Sequence, residues 1–426
     1  MGIQYVNKEK KKKRYQSDNI KVVNMASPPT CPQEDPENYE DIEPTIQYGK
    51  AFEIMKGEDF IFVKPKCSSM HGDQSSTYAV FAVLDGHNGP AAATYVRENL
   101  FEAVFSSIPA DRLSQDEWLA ALPMALVTGF VKTNENFRNQ GQPSGTTVTF
   151  VVIHGWTVTV ASVGDTRCIL VSEGNEVSTL TVDHRFENNE EERNRVISKG
   201  IEIGRIKIPD GSEVGPLRCW PGGLCLSRSI GDFDVGDFIL PIPHVKQIKL
   251  STAGGRLIIA SDGVWDAITC EKAAKCCRGL SSEDAARTIV RASVKKRGGI
   301  RDDTTCLVVD VMPSDYSLQS MFWPTSDRRG NLNSCFSWWK SKSSSTVVDT
   351  VLPSPGMVEE LFEDDSARRL ELLSSDPSSN YFICAYCETT ISLNDLITVH
   401  AGSFFSTSNQ ASEGPFYCRS CKQQED

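Results

Sequence analysis

Apolar, β-branched runs recur through the middle of the chain: YAVFAVLD at 78–85, TTVTFVVI at 146–153, WTVTVASVGD at 156–165, RCILVS at 167–172, RLIIASD at 256–262 and TTCLVVDV at 304–311. Their composition and length predict strands. The runs 146–153 and 156–163, joined by His154-Gly155, are expected as a hairpin. Helices are expected between the strands. Pro90 suits the first turn of one running to about Ser106. Ser114 and Glu117 form a capping box for another through about Asn136, and 187–199 and 282–297 also have a helical pattern. Hairpins mixed with helices predict an α+β fold of packed layers rather than a purely parallel sheet.

This dense pattern covers about 46–312. Residues 1–45 are polar, with the basic run Lys8–Arg14 and a Pro/acidic stretch, and hold too little apolar surface to fold. The basic run reads as a solvated tail or as a nuclear address. Residues 313–375 are expected to be a linker. Its Ser-rich part, 313–357, carries Trp338-Trp339-Lys340, a cluster suited to docking on a partner or a membrane surface, and 358–373 has helical spacing. Residues 376–426 hold two CxxC pairs, Cys384/Cys387 and Cys418/Cys421.

Composition narrows the function classes. The chain has 426 residues, 39% of them hydrophobic, and a formal net charge of −12, so its surface as a whole is not built for nucleic acid. No run approaches the roughly 18 apolar residues of a spanning helix. The N-terminus lacks the apolar stretch of a signal peptide, and Val6 departs from the myristoylation pattern that Gly2 suggests. A soluble, monomeric, intracellular protein of the cytoplasm or nucleus is expected. Fourteen cysteines, ten scattered and four in CxxC pairs, read as reduced thiols plus a candidate metal site.

The candidate chemistry lies at strand ends. In VFAVLDGHNG (80–89) and LIIASDGVWD (257–266) an apolar strand runs straight into Asp-Gly. A carboxylate at the edge of a core is costly unless something compensates it, and the glycine permits a sharp turn. A turn-capping Asx residue would give the same local pattern. Three further acidic groups strengthen the metal reading: Asp302-Asp303 before the last apolar strand, Glu58-Asp59 before Phe60-Ile61, and Asp165 after 156–161. An oxygen-rich set with few histidines suits Mg²⁺ or Mn²⁺ rather than Zn²⁺.

The ordered series GED (57–59), DGHNG (85–89), SGTT (144–147), VGDTR (163–167), DHR (183–185), CLSRSIGDFD (225–234), SDGVWD (261–266) and RDDTT (301–305) resembles the protein phosphatase type 2C family, and RCWPGGLCLSRSIGD (218–232) its plant members. The resemblance implies two antiparallel sheets packed face to face, with helices outside and a metal site at one end. By motif, it implies that Asp85 bridges two cations, that the Gly86 carbonyl completes one sphere, that Asp262 and Asp302 hold the other ion, and that Glu58 and Asp59 contribute directly or through water. Asp165 stands where the family can hold a third, weaker metal, and Asp303 is expected as a neighbour. The implied reaction is hydrolysis of phosphoserine and phosphothreonine in phosphoprotein substrates. Two cations activate water for in-line attack with no phosphoenzyme, and His87 is the expected general acid.

One departure stands out. Four residues before the glutamate of its first motif the family usually has an arginine that grips phosphate, and here that position is Ile54. Lys56 or Lys50 could substitute, but a lysine lacks the bidentate fork. The residue therefore motivates a rival reading, a pseudophosphatase acting as a binding module. Residues 184–224 are expected as a flap beside the site, with Trp220 either an exposed contact or a core residue. No cysteine is followed six positions on by arginine, which excludes a cysteine-dependent phosphatase, and six scattered histidines disfavour a calcineurin-type centre. The four CxxC thiols could close on one structural Zn²⁺ and make a recruitment module for a partner. The pairs stand thirty residues apart, so four ordinary thiols fit as well.

Overall fold

The computed structural model describes residues 43–71, 74–108, 113–172, 174–314, 358–363, 381–383, 390–392, 396–398 and 416–418. In chain order the elements are β1 (Thr45–Glu53), β2 (Asp59–His71), β3 (Gln74–His87), α1 (Ala91–Phe105), α2 (Gln115–Arg138), β4 (Gly145–His154), β5 (Thr157–Val163), β6 (Arg167–Ser172) and β7 (Val177–Thr179). There follow α3 (Glu190–Ser198), β8 (Glu202–Lys207), β9 (Glu213–Trp220), β10 (Ile230–Gly231), β11 (His244–Lys249), β12 (Gly255–Ala260), α4 (Asp262–Trp265), α5 (Cys270–Cys276), α6 (Ser282–Arg297) and β13 (Thr304–Met312). The last elements are β14 (Glu359–Glu363), β15 (Tyr381–Ile383), β16 (Thr390–Ser392), β17 (Leu396–Thr398) and β18 (Phe416–Cys418).

Among the described residues two large sheets form, one in the order β1-β13-β12-β6-β7 and the other β14-β11-β5-β4-β3-β2, with β10 beside β4. Their alternating side chains explain the continuous apolar runs. Ala79, Phe81 and Val83 of β3 meet Leu257, Ile259, Leu307 and Val309 of the other sheet in one core. The intervening Val80, Ala82 and Leu84 pack under Val96, Leu100, Leu122 and Phe130 of α1 and α2. On the far side Ile258, Ala260, Cys306 and Val308 pack under Ala273, Ile289 and Val290 of α5 and α6. A strand covered on both faces has no polar side to show. Each fully buried side chain of the size of Phe81 contributes on the order of 1.5–3 kcal/mol.

The helices begin where the sequence marks them. Ser114 accepts from the Glu117 amide, and the Glu117 side chain accepts from the Ser114 amide, completing the capping box of α2. The hairpin β4–β5 pairs His154 with Thr157, so its turn is Gly155-Trp156, one residue later than expected.

The helical reading of 358–373 is corrected over 359–363. Glu359–Glu363 is a strand, antiparallel to β11, and Val358 packs against the core between the sheets. Pairing with an open sheet edge outweighs helical spacing in so short a segment. Residues 364–373 lie outside the described residues, as do 1–42, 315–357, Cys384, Cys387 and Cys421. Cys418 ends β18. Among the described residues every cysteine whose state is defined is a free thiol, and no helix is long and apolar enough to cross a membrane.

Candidate functional site

The strand register brings the expected acids to one end of the sandwich. Asp59 begins β2 opposite Asp85 near the end of β3. Asp262 opens α4, with only Ser261 between it and β12, and Asp302 precedes β13. The Gly86 amide donates to the Glu58 carbonyl at 3.2 Å, and a Cβ at Gly86 would stand 2.7 Å from that oxygen, so this strand position admits no larger residue. The glycine after Asp262 is required for a similar reason: a Cβ there would lie 2.0 Å from the Asp303 carbonyl.

Asp303 shapes the loop that carries Glu58 and Asp59. Its carboxylate accepts from the amides of Met55 (2.6 Å), Lys56 (2.7 Å), Glu58 (2.6 Å) and Asp59 (3.1 Å). Burial would raise this carboxyl, but those amides hold it below its ordinary value. The expectation that Asp303 is a neighbour matches this geometry. Glu58 in turn accepts from the Gly89 amide at 2.7 Å, tying the loop to the start of α1.

The other acids crowd one another. Asp85 is driven well above its ordinary value by burial first, then by the charges of Asp262, Asp59, Asp165 and Asp302. Burial, Asp165, Asp266 and Asp302 together push Asp262 to about 8 against the lowering influence of Arg185. Burial pushes Asp59 up to about 6 despite the Thr305 and Ser261 hydroxyls, and its Oδ2 is buried with no hydrogen-bond partner.

Two basic side chains already lie among these carboxylates. Arg185 reaches Asp165 through Nε, Asp266 through Nη1 at 2.6 Å and Asp262 through Nη2 at 2.7 Å. Lys56 Nζ sits 2.8 Å from Asp302. With these pairs formed, no three His, Cys, Asp or Glu side chains among the described residues close on a common ion position. The donor set nonetheless fits hard divalent cations. It consists of oxygens alone, several of the carboxyls are raised by burial and by one another's charge, and one oxygen is left unpartnered in the interior.

His87 ends β3, and its Nε2 lies 2.9 and 2.8 Å from the two carboxylate oxygens of Asp232. Burial would lower the imidazole, but the bonded Asp232 raises it above its ordinary value, with Asp165 and Glu58 adding. Ile54 is 63% exposed. The hairpin β8–β9 belongs to neither large sheet, and Trp220 at its end is 40% exposed and not a core residue.

Sequence reasoning missed Arg185, Asp232 and Asp266 as members of the site. All three lie inside the quoted motifs DHR, CLSRSIGDFD and SDGVWD, and an unassigned charge within such a motif was the available signal.

Residues 54–298 match the family model for protein phosphatase 2C. A probable protein phosphatase 2C 3 of Oryza sativa subsp. japonica is 55% identical over 82% of this chain and 73% of its own length. A probable protein phosphatase 2C 12 of Arabidopsis thaliana is 50% identical over 90% of each chain. Among solved structures, serine-threonine phosphatase 2C from Toxoplasma gondii is similar in fold, with a TM-score of 0.51 at 18% identity over 63% of this chain and 97% of that one.

Proposed function

The chain belongs to the protein phosphatase 2C family, and from that membership we propose that the acidic end of its sandwich removes phosphate from serine and threonine side chains of phosphoproteins. The observation that carries the reading is the convergence of Asp59, Asp85, Asp165, Asp262 and Asp302, whose charges raise Asp85 within a buried site. Asp85, Asp262, Asp302 and the Gly86 carbonyl are the residues suited to hold two Mg²⁺ or Mn²⁺ ions, with Glu58 and Asp59 contributing directly or through water. When bound, such cations acidify water in the cleft and offset charge on the phosphoryl oxygens.

The remaining steps belong to the chain's own residues. Asp303 fixes the loop from Met55 to Asp59, so the two acids there are positioned before substrate arrives. His87 gives its proton to the departing serine or threonine oxygen. Lys56 is held by Asp302, so a contact to phosphate requires that pair to open. A third, weaker cation at Asp165 has to displace the Arg185 guanidinium, which supports weak occupancy there. A non-catalytic binding role is disfavoured by the complete acid set and His87. Phosphate release from a phosphothreonine peptide is expected to require Mg²⁺ or Mn²⁺ and to survive iodoacetamide; robust release after exhaustive chelation contradicts the reading.

The two CxxC pairs support one structural Zn²⁺ at Cys384, Cys387, Cys418 and Cys421, in a module that recruits a partner. One equivalent of zinc retained by the full chain, and lost on Cys384→Ser with Cys387→Ser, is the expected result; a zinc-free protein after purification with zinc present contradicts it.

A further inference from the structure

We propose that Asp232 is a positioning residue for the proton-transfer step: it fixes His87 with Nε2–H toward itself and leaves Nδ1 as the nitrogen that protonates the leaving oxygen. This deepens the reading of His87 as proton donor and rests on it.

Three adjacent strands build the arrangement. His87 of β3 pairs with Gly145 of β4, and Gly145 pairs with Gly231 of β10. Asp232, one residue on, must cross β4 to reach His87, and it does so over Gly145. A Cβ at Gly145 would lie 2.1 Å from Asp232 Oδ2 and 2.4 Å from its Cγ. The missing side chain is the passage that the carboxylate occupies.

Asp232 is held there firmly. It is 3% exposed, its amide donates to the Ser144 carbonyl at 3.2 Å, and the Ser229 hydroxyl donates to Oδ2. Its φ of +54 is left-handed, a conformation that Asp tolerates better than most side chains. Gly231 before it also has positive φ, and its amide donates to Asn134 Oδ1 at 2.9 Å, so α2 helps to set the turn.

A carboxylate only accepts, so Nε2, at 2.8 and 2.9 Å from its two oxygens, carries a hydrogen in both ring states. Nδ1 is then the atom that cycles. As the P–O bond to serine or threonine breaks, its electron pair stays on that oxygen, which takes the Nδ1 proton. The imidazolium becomes neutral imidazole with Nε2–H retained, while the attacking water's oxygen and one of its protons complete hydrogen phosphate; water's other proton goes to solvent, from which Nδ1 is recharged for the next turnover.

The test exploits leaving-group chemistry. A phosphothreonine peptide expels an alkoxide that needs a proton, whereas p-nitrophenyl phosphate expels an anion stable by itself. In Asp232→Asn, peptide turnover is expected to fall roughly 10²-fold, and aryl-ester turnover to fall at least tenfold less. Equal losses on the two substrates, or none on the peptide, overturn the proposal. His87→Gln is measured beside it. If only His87→Gln is selective, the Asp232 role fails and the acid role stands; if His87→Gln is not selective, the assignment of His87 fails and the proposal with it. The native chain gives an independent readout. With ¹⁵N-histidine labelling, and His87→Gln to assign the signal, the neutral ring is expected as the Nε2–H tautomer; the Nδ1–H tautomer overturns the proposal.

Discussion

Ile54 stands where a charged phosphate contact would be expected, exposed beside Phe52 and Met55, which are also exposed. The loop that follows is clamped by four amide bonds to Asp303, so position 54 is presented from a fixed base. The nearby cation Lys56 is engaged by Asp302. An arginine at position 54 would supply a bidentate charge-assisted contact, worth about 1.5–3 kcal/mol when well formed. Ile54→Arg is therefore expected to lower KM for a phosphopeptide roughly tenfold with little change in kcat. An unchanged or raised KM in the folded variant would show that other groups already bind the phosphate. The residues at this scale that sequence failed to reveal are those whose partners lie far away in the chain. Arg185 meets acids 20, 77 and 81 positions distant, and Asp232 meets His87 across 145. Asp85 and Asp262 were legible because a carboxylate closing an apolar strand is anomalous by itself.

Elements tell a similar story. The buried strands were readable because both of their faces are covered, and α2 because its cap is written in Ser114 and Glu117. β14 was not, since its structure comes from pairing with β11, a partner more than a hundred residues earlier. Helix α3 is charged along most of its length, yet Glu192 on it is 3% exposed. It accepts from Arg228 at 2.6 Å and Arg195 at 2.9 Å, and these arginines also donate to the carbonyls of Ile242, Phe238 and Ser227. The network ties α3 to the segment that carries Asp232. Burial would raise the Glu192 carboxyl, but the two guanidiniums hold it well below the carboxylate range. Burial lowers Arg195 despite its bond to Glu192, and the neighbouring Arg228 charge lowers it further. A depressed folded pKa gives stability that is fully present above the unfolded value, about 4.3, and is lost as pH falls through the folded one. Glu192→Gln is expected to lower stability at pH 7 by about 3–5 kcal/mol. Its melting temperature should also fall less steeply than the wild type's below about pH 4.5. Parallel acid limbs for the two proteins would contradict this role.

The molecule as a whole carries an unfavourable centre in an otherwise well-packed sandwich. Apolar layers cover both faces of both sheets, while one end gathers carboxylates that repel one another out of bulk water. Such a site lowers the stability of the ion-free fold and is relieved by binding, the trade expected where function opposes stability. Asp85 is at its centre, since its carboxyl is raised by four neighbouring acids as well as by burial. The most direct measurement is the melting temperature of the wild type and of Asp85→Asn, each with and without Mn²⁺. Without metal, Asp85→Asn should melt a few degrees higher, because an amide carries no charge to bury. With Mn²⁺ at a hundredfold excess over its dissociation constant, the wild type should gain about 2.7 kcal/mol, roughly 5–10 °C, and Asp85→Asn should gain little and turn over no phosphopeptide. Equal Mn²⁺ shifts in the two proteins, or turnover retained by Asp85→Asn, would contradict the account.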